Sequence, residues 1–326
     1  MNVKTHLANA LEQAKAKSDY DEYVIRILSN KYILANILQG TISECKRLTI
    51  PQIIESMKDT PEIKQTPVHP CVLNDVIIGD RTEDKVPDEG TTTFDIRFHI
   101  YLSDAPQPIK LIINVEAQKN YYPGYDLVTR GIYYGARLIS SQRETEFTDS
   151  DYDNIKKIYS LWICTNTPAY AKNTITEYKI KQEKVFGDFH GKARYDILNV
   201  TFICLGNPTD QETPRFLSML STVLSNKISI EKKKSILEEE YNIPMSRDLG
   251  KEMEKMCNLS EAIEEQGIQK GIEKGIEKGS KQNAIENAKR LFENGASYQL
   301  VRNSIVNLTD EEMQTIYDEV MKNKEK

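Results

Sequence analysis

TTTFDIRFHIYL (residues 91–102) and, after a proline-containing turn, IKLIINVEAQKN (residues 109–120) decide how this chain is read. In the first stretch Phe94, Ile96, Phe98, Ile100 and Leu102 alternate with Asp95, Arg97, His99 and Tyr101, the period of two of a half-buried strand. The second begins as a buried strand and then carries Glu116, Gln118 and Lys119. If Ser103 to Pro108 form the loop of a hairpin, Leu102 faces Ile109, Phe98 meets Ile113, Ile96 meets Val115 and Phe94 meets Ala117. Asp95 then lies opposite Glu116 on the second face, with Gln118 beside them and Lys119 turned the other way by the pleat.

Two carboxylates at that separation repel, and burial raises the cost, so they need a cation, a proton or a strong donor between them. A hard divalent ion suits an all-oxygen set, and Mg²⁺ uses one or two carboxylates while keeping water for a phosphate. The alternative is a one-sided sheet whose Asp95 and Glu116 are solvated and balanced by Arg97.

Outward from the hairpin, DYDEYVIRILSNKYILANIL lies in a helical region over 19–57, with Gly40 placed to interrupt it and a shorter helix beginning near Pro51. PEIKQTPVHP is too rich in proline for a helix or central strand, VLNDVIIGD reads as a short strand, and DRTEDKVPDEG as an exposed acidic loop. Residues 126–141 suit a helix opened by Asp126, and Arg130, Tyr134 and Arg137 share one of its faces. KIYSLWICTN and ILNVTFICLG have the short apolar runs of buried strands, the segment between them is unassigned, and PRFLSMLSTVL is a helix closing a domain near residue 225.

Beyond that helix the composition shifts to Glu, Lys, Ile and Asn, with GIQKGIEKGIEKGSKQ repeating every four residues. In a helix such columns wind slowly about the axis, and each glycine costs about 1 kcal/mol. The segment is either a helix that self-associates through its small residues or a partly helical spacer. After it come a helix ending at Gly295, one opened by Ser297, and one opened by a Thr309–Glu312 capping box.

Across 326 residues, 39% hydrophobic content predicts a substantial core. No run approaches the ~18 apolar residues of a membrane span, and the first twenty residues lack an apolar signal core. Five cysteines without a CxxC pair predict neither a disulfide framework nor a zinc site. The expectation is a soluble, cytoplasmic protein without a membrane partner. A net charge of −6 opposes non-specific adhesion to nucleic acid by the whole surface, though a local basic groove stays open.

An aspartate, about twenty residues, then Glu-x-Gln closing an apolar strand resembles the PD-(D/E)xK nuclease core. With NKYILANIL before it and INVEAQKNYYPGYDLVTRGIYYGARLI and YSLWICTN after it, the chain over roughly 20–225 resembles the PD-(D/E)xK nuclease family transposases, related to the recombination-promoting nucleases. The GIEKG tail is similar to theirs as well.

The resemblance implies an α/β fold: a restriction-endonuclease-like mixed sheet flanked by helices over 1–225, a helical linker over 226–280 and a small all-α unit over 281–326. It implies Mg²⁺-dependent hydrolysis of DNA phosphodiesters, with Mn²⁺ as a substitute, in transposition or recombination. Asp95 and Glu116 would hold the metal, with the Ala117 carbonyl and Glu44 as further ligands, Glu44 being otherwise a plain surface residue. Gln118 stands in the place of the catalytic lysine; it can orient water or phosphate but cannot act as a base, which leaves water activation to the metal. Arg130 would hold the phosphate, and Tyr134, Lys119 and Tyr121 to Tyr125 would line the substrate groove; the alternatives are an ion pair for Arg130 and ordinary packing for the tyrosines. The expected partners are DNA and, through the tail, a second copy of the chain. Two rivals remain: a non-catalytic nuclease-like module that binds DNA or protein, and RNA as the substrate.

Overall fold

A computed structural model describes residues 6–57, 83–86, 90–103, 109–207 and 213–324. The expected proline-rich stretch 61–70 and the strand VLNDVIIGD lie outside the described residues. The chain divides into two units, 1–260 and 261–326.

Three helices open the first unit: α1 (His6–Leu28), α2 (Lys31–Thr41) and α3 (Ile50–Ser56). The long helical stretch is broken at Asn30, whose side chain caps α2 by accepting from the backbone N–H groups of Tyr32 and Ile33. Gly40 does not interrupt α2, which continues to Thr41. Its role is close approach: a Cβ there would come within 2.3 Å of the Phe216 ring. Pro51 stands in the first turn of α3, as expected.

The acidic stretch expected to be loop contributes a strand, β1 (Glu83–Val86), paired antiparallel with β2 (Gly90–Thr93). Then come β3 (Ile96–Leu102), β4 (Ile109–Asn120), α4 (Leu127–Ser140), β5 (Lys157–Asn166), β6 (Thr174–Lys179) and β7 (Leu198–Cys204). The main sheet has the order β3-β4-β5-β7-β6. Its centre, β4-β5-β7, is parallel, and both outer strands are antiparallel to their neighbours. This is the mixed sheet flanked by helices that the resemblance implies, and β6 occupies part of the segment left unassigned.

The hairpin register is as read: Ile96 pairs with Val115, Phe98 with Ile113 and Leu102 with Ile109. Ile96, Phe98, Ile113 and Val115 face a core shared with α2 and α5 (Arg215–Leu224). Phe94 is the exception, because the chain bends at Asp95 before β3 begins. The bend resets the alternation, and Phe94 packs with Ile112, Leu138 and Ile158 on the α4 side instead of joining the face that carries Ala117.

The unit does not close at residue 225. Leu237 of α6 (Ile230–Tyr241) and Met253 and Met256 of α7 (Arg247–Glu293) are buried in the same core as α2 and α5, so the expected linker supplies part of it up to residue 260. The second unit comprises the rest of α7 with α8 (Tyr298–Ser304) and α9 (Asp310–Lys324), around Ala288, Phe292, Val301, Met313 and Ile316. Its expected signals are present: Ser297 caps α8, and Thr309 and Glu312 form a reciprocal capping box at α9. The repeat segment is helical within α7, with Ile268, Ile272 and Ile276 exposed. Among the described residues no helix is long and apolar enough to cross a membrane.

Candidate functional site

The bend that displaces Phe94 also builds the site. Where the β3–β4 ladder would continue, side chains replace it: the Asp95 N–H donates to Oε1 of Glu116 (3.2 Å), and the Ala117 N–H donates to Oδ2 of Asp95 (2.8 Å). Each carboxylate is thereby tied to the other residue's strand, and Glu116 is only 4% exposed.

Burial raises the pKa of Glu116 first, and the neighbouring Asp95 charge raises it further; the Asp95 N–H, the Asn114 amide and Arg130 do not offset the two. Asp95 is raised as well, by burial and then by the charge of Asp21 on α1, against the pull of the Ala117 N–H and Arg130. The pair is therefore held together at a cost that a proton or a cation would relieve. Two residues back on the same face, the buried Oδ1 of Asn114 has no hydrogen-bond partner among the described residues.

Arg130 is the nearby positive charge, and aromatic rings fix it. Asp126 caps α4, so Arg130 follows one turn into the helix. Its guanidinium lies over Tyr134 (4.9 Å to the ring centroid), Trp162 (5.4 Å) and Tyr125 (5.8 Å), and donates to the Tyr125 and Tyr134 hydroxyls at 2.6 and 2.8 Å. Trp162 pairs with Glu116 across the β4–β5 ladder, which brings this cage beside the carboxylates. Tyr134 packs edge-on against Phe94 and Trp162 and so serves by positioning Arg130. Arg137, on the same helix face, is buried, and its guanidinium donates to Tyr133.

Gln118 follows Glu116 on the same face, with one amide proton donated to the Asn120 carbonyl (2.8 Å). Lys119 is exposed and rests over the Tyr20 ring of α1 at 5.0 Å, on the opposite side of the strand from the carboxylates. The structure therefore does not bring Lys119 together with the carboxylate pair.

Glu44 is not part of this cluster. Its carboxylate accepts from Lys157 Nζ (2.9 Å), from the Tyr159 hydroxyl (2.6 Å) and from Ser43 (2.8 Å). Burial pushes its pKa up, but the bonds from Tyr159, Lys157 and Ser43 win and hold it below the usual range. Lys157 and Tyr159 pair with Leu111 and Ile113, five and three residues before Glu116 on β4, so Glu44 stands towards the other end of the strand from the pair. It is an anchor for the turn after α2 and not a third ligand. The carboxylate that the sequence reading missed is Asp21, which raises the Asp95 pKa from α1. No periodic signal marks it within SDYDEY.

Among the described residues no three His, Cys, Asp or Glu side chains come close enough to hold a metal together. What fits a cation here is a two-carboxylate set, the number Mg²⁺ commonly uses. No protein-family model, curated protein or solved structure matches the chain.

Proposed function

We propose that this chain is a Mg²⁺-dependent DNA endonuclease acting in the cytoplasm, with the link to transposition or recombination resting on the resemblance of its motifs. The observation that carries the reading is the reciprocal Asp95–Glu116 clamp: a buried and a half-buried carboxylate with raised pKa values, beside an arginine held by three aromatic rings. Such a pair destabilises the fold unless something positive binds it, which is the usual signature of a working site.

When bound, the cation supplies charge neutralisation at the phosphate and a more acidic water. Asp95 and Glu116 would hold it. Arg130 offers a fixed cation to the phosphate oxygens as negative charge builds on them, and needs no reorganisation because its hydroxyl and ring contacts already orient it. Gln118 keeps an amide N–H and its carbonyl to orient water or phosphate. Water oxygen bonds to phosphorus while its proton passes to solvent, the ester P–O bond breaks, and the departing oxygen takes a proton from solvent. The buried or half-buried free thiols at Cys45, Cys164, Cys204 and Cys257 agree with a reducing compartment. Self-association through the tail is part of the same reading, since cutting both strands takes two sites.

A non-catalytic nuclease-like module is the second reading, favoured by the two-carboxylate set and by glutamine in the lysine position. Supercoiled plasmid incubated with the protein in Mg²⁺, Mn²⁺ or EDTA separates them. The nuclease reading expects metal-dependent nicking that falls at least about a hundredfold in Asp95→Ala and in Glu116→Ala, since outer-shell partners of metal sites alone are worth roughly 10–100-fold. Folded wild-type protein that leaves the plasmid intact in every metal supports the binding module.

A further inference from the structure

The loop between β6 and β7 has no part in the site described, and it carries two apolar side chains that are almost wholly exposed. Phe186 is 99% exposed, Val185 95% and Phe189 65%. These rings are presented, not frayed. Gly187, with φ of +67°, turns the chain directly after Phe186, and Phe189 lies so close over Gly191 that a Cβ there would meet its ring at 2.5 Å. The loop is fixed at its root: Arg194 donates to the carbonyls of Asp153 and Ile155, and Lys157 is ion-paired to Asp196.

In a chain of net charge −6, residues 180–195 carry Lys181, Lys184, Lys192 and Arg194 against Glu183 and Asp188. Lys184 is paired with Asp188, while Lys181 and Lys192 have no ion-pair partner among the described residues. A local cationic surface with open ring faces matches a polyanion that offers flat apolar surfaces of its own. A second copy of the loop would set lysine against lysine. An anionic bilayer fits less well, because burying both rings would carry the intervening Asp188 towards hydrocarbon.

We propose that the 180–195 loop is a nucleic-acid-binding element, with Phe186 and Phe189 stacking on unpaired bases and Lys181 and Lys192 contacting phosphates. This deepens the nuclease reading, with which it shares the class of ligand. The loop joins the β7 end opposite Cys204, whereas Glu116 and Gln118 lie towards the Cys204 end of the ladder. Glu116 is level with Phe202 through Trp162, four residues from Leu198, so the loop starts roughly 13 Å along the strands from the carboxylates and makes a contact beyond the cleaved bond.

The test measures binding without cleavage. Full-length protein in EDTA is titrated into a fluorescent oligodeoxythymidylate, its duplex, or vesicles of phosphatidylserine and phosphatidylcholine. The expected result is single-strand binding that weakens by about tenfold or more in Phe186→Ala/Phe189→Ala. Lys181→Ala should shrink the slope of log affinity against log salt by about 0.7. Both variants should keep the wild-type unfolding midpoint, because these side chains are exposed. Wild-type affinity in the double variant, or loop-dependent binding of vesicles and not of oligonucleotide, overturns the proposal. Binding through the loop by a protein that cuts nothing would sink the nuclease reading and leave this one standing.

Discussion

Glu116→Gln is expected to stabilise the metal-free protein at pH 8, by about 2 kcal/mol. The folded protein holds the Glu116 proton more tightly than the unfolded chain does, because burial and Asp95 raise its pKa above the ordinary 4.5. The stabilising effect of that proton is complete below the unfolded value and is lost as pH rises through the raised folded value. Stability of the wild type should therefore decline between about pH 5 and pH 8. A glutamine keeps an acceptor for the Asp95 N–H but carries no charge, so the variant should stay level across that window. The chain's single tryptophan, Trp162, pairs with Glu116 across the ladder, so urea denaturation followed by its fluorescence reports on this unit. Saturating Mg²⁺ should restore the wild type at pH 8 and leave the variant unmoved. A variant no more stable than the wild type at pH 8 would show that the pair is not strained.

Trp162→Ala should cost about 3–5 kcal/mol. The indole is fully buried, stacked on Phe202 (centroids 5.8 Å apart), edge-on to Tyr134 (5.3 Å), and its Nε1 donates to Ser160. It is also the floor on which Arg130 rests. Circular dichroism followed through thermal or urea unfolding measures the loss, and Trp162→Phe should recover most of it by keeping a ring. If the proposed reaction holds, the phenylalanine variant should still cleave but with a higher KM, since the arginine has lost part of its support. A cost below about 1 kcal/mol for the alanine variant would mean that the cage is not a packed unit.

The sequence made the centre of this fold legible because its signals are local. Period-two alternation set the two faces of β3, the length of the turn set the β3–β4 register, Asp126 marked the start of α4, and the Thr309–Glu312 spacing marked α9. Its errors arise where local pattern and long-range packing part. Alternation over residues 94–102 could not announce that the chain bends at Asp95, although that bend sends Phe94 to the other face and ties the two carboxylates together. The composition of IEKKKSILEEEY puts it in the expected linker, yet Leu237 is in the core and Lys233 is fully buried, its amine donating to the Val223 carbonyl and to Cys257. That is why the domain seemed to end at 225. Glu44 was misassigned for a related reason: its partners Lys157 and Tyr159 are more than a hundred residues away in sequence. The aromatic cage around Arg130 needed Trp162 from another strand, so only its helical half was readable.

The most direct test of the account is calorimetric titration of Mg²⁺ and Mn²⁺ into the wild type at pH 8, beside Asp95→Asn and Glu116→Gln with their folding verified. The account predicts a binding isotherm in the wild type that disappears in both variants, with proton release growing as the titration is repeated at lower pH. Wild-type protein that binds neither ion, or an Asp95→Asn variant that binds them as the wild type does, would contradict the assignment of these two carboxylates as a cation site.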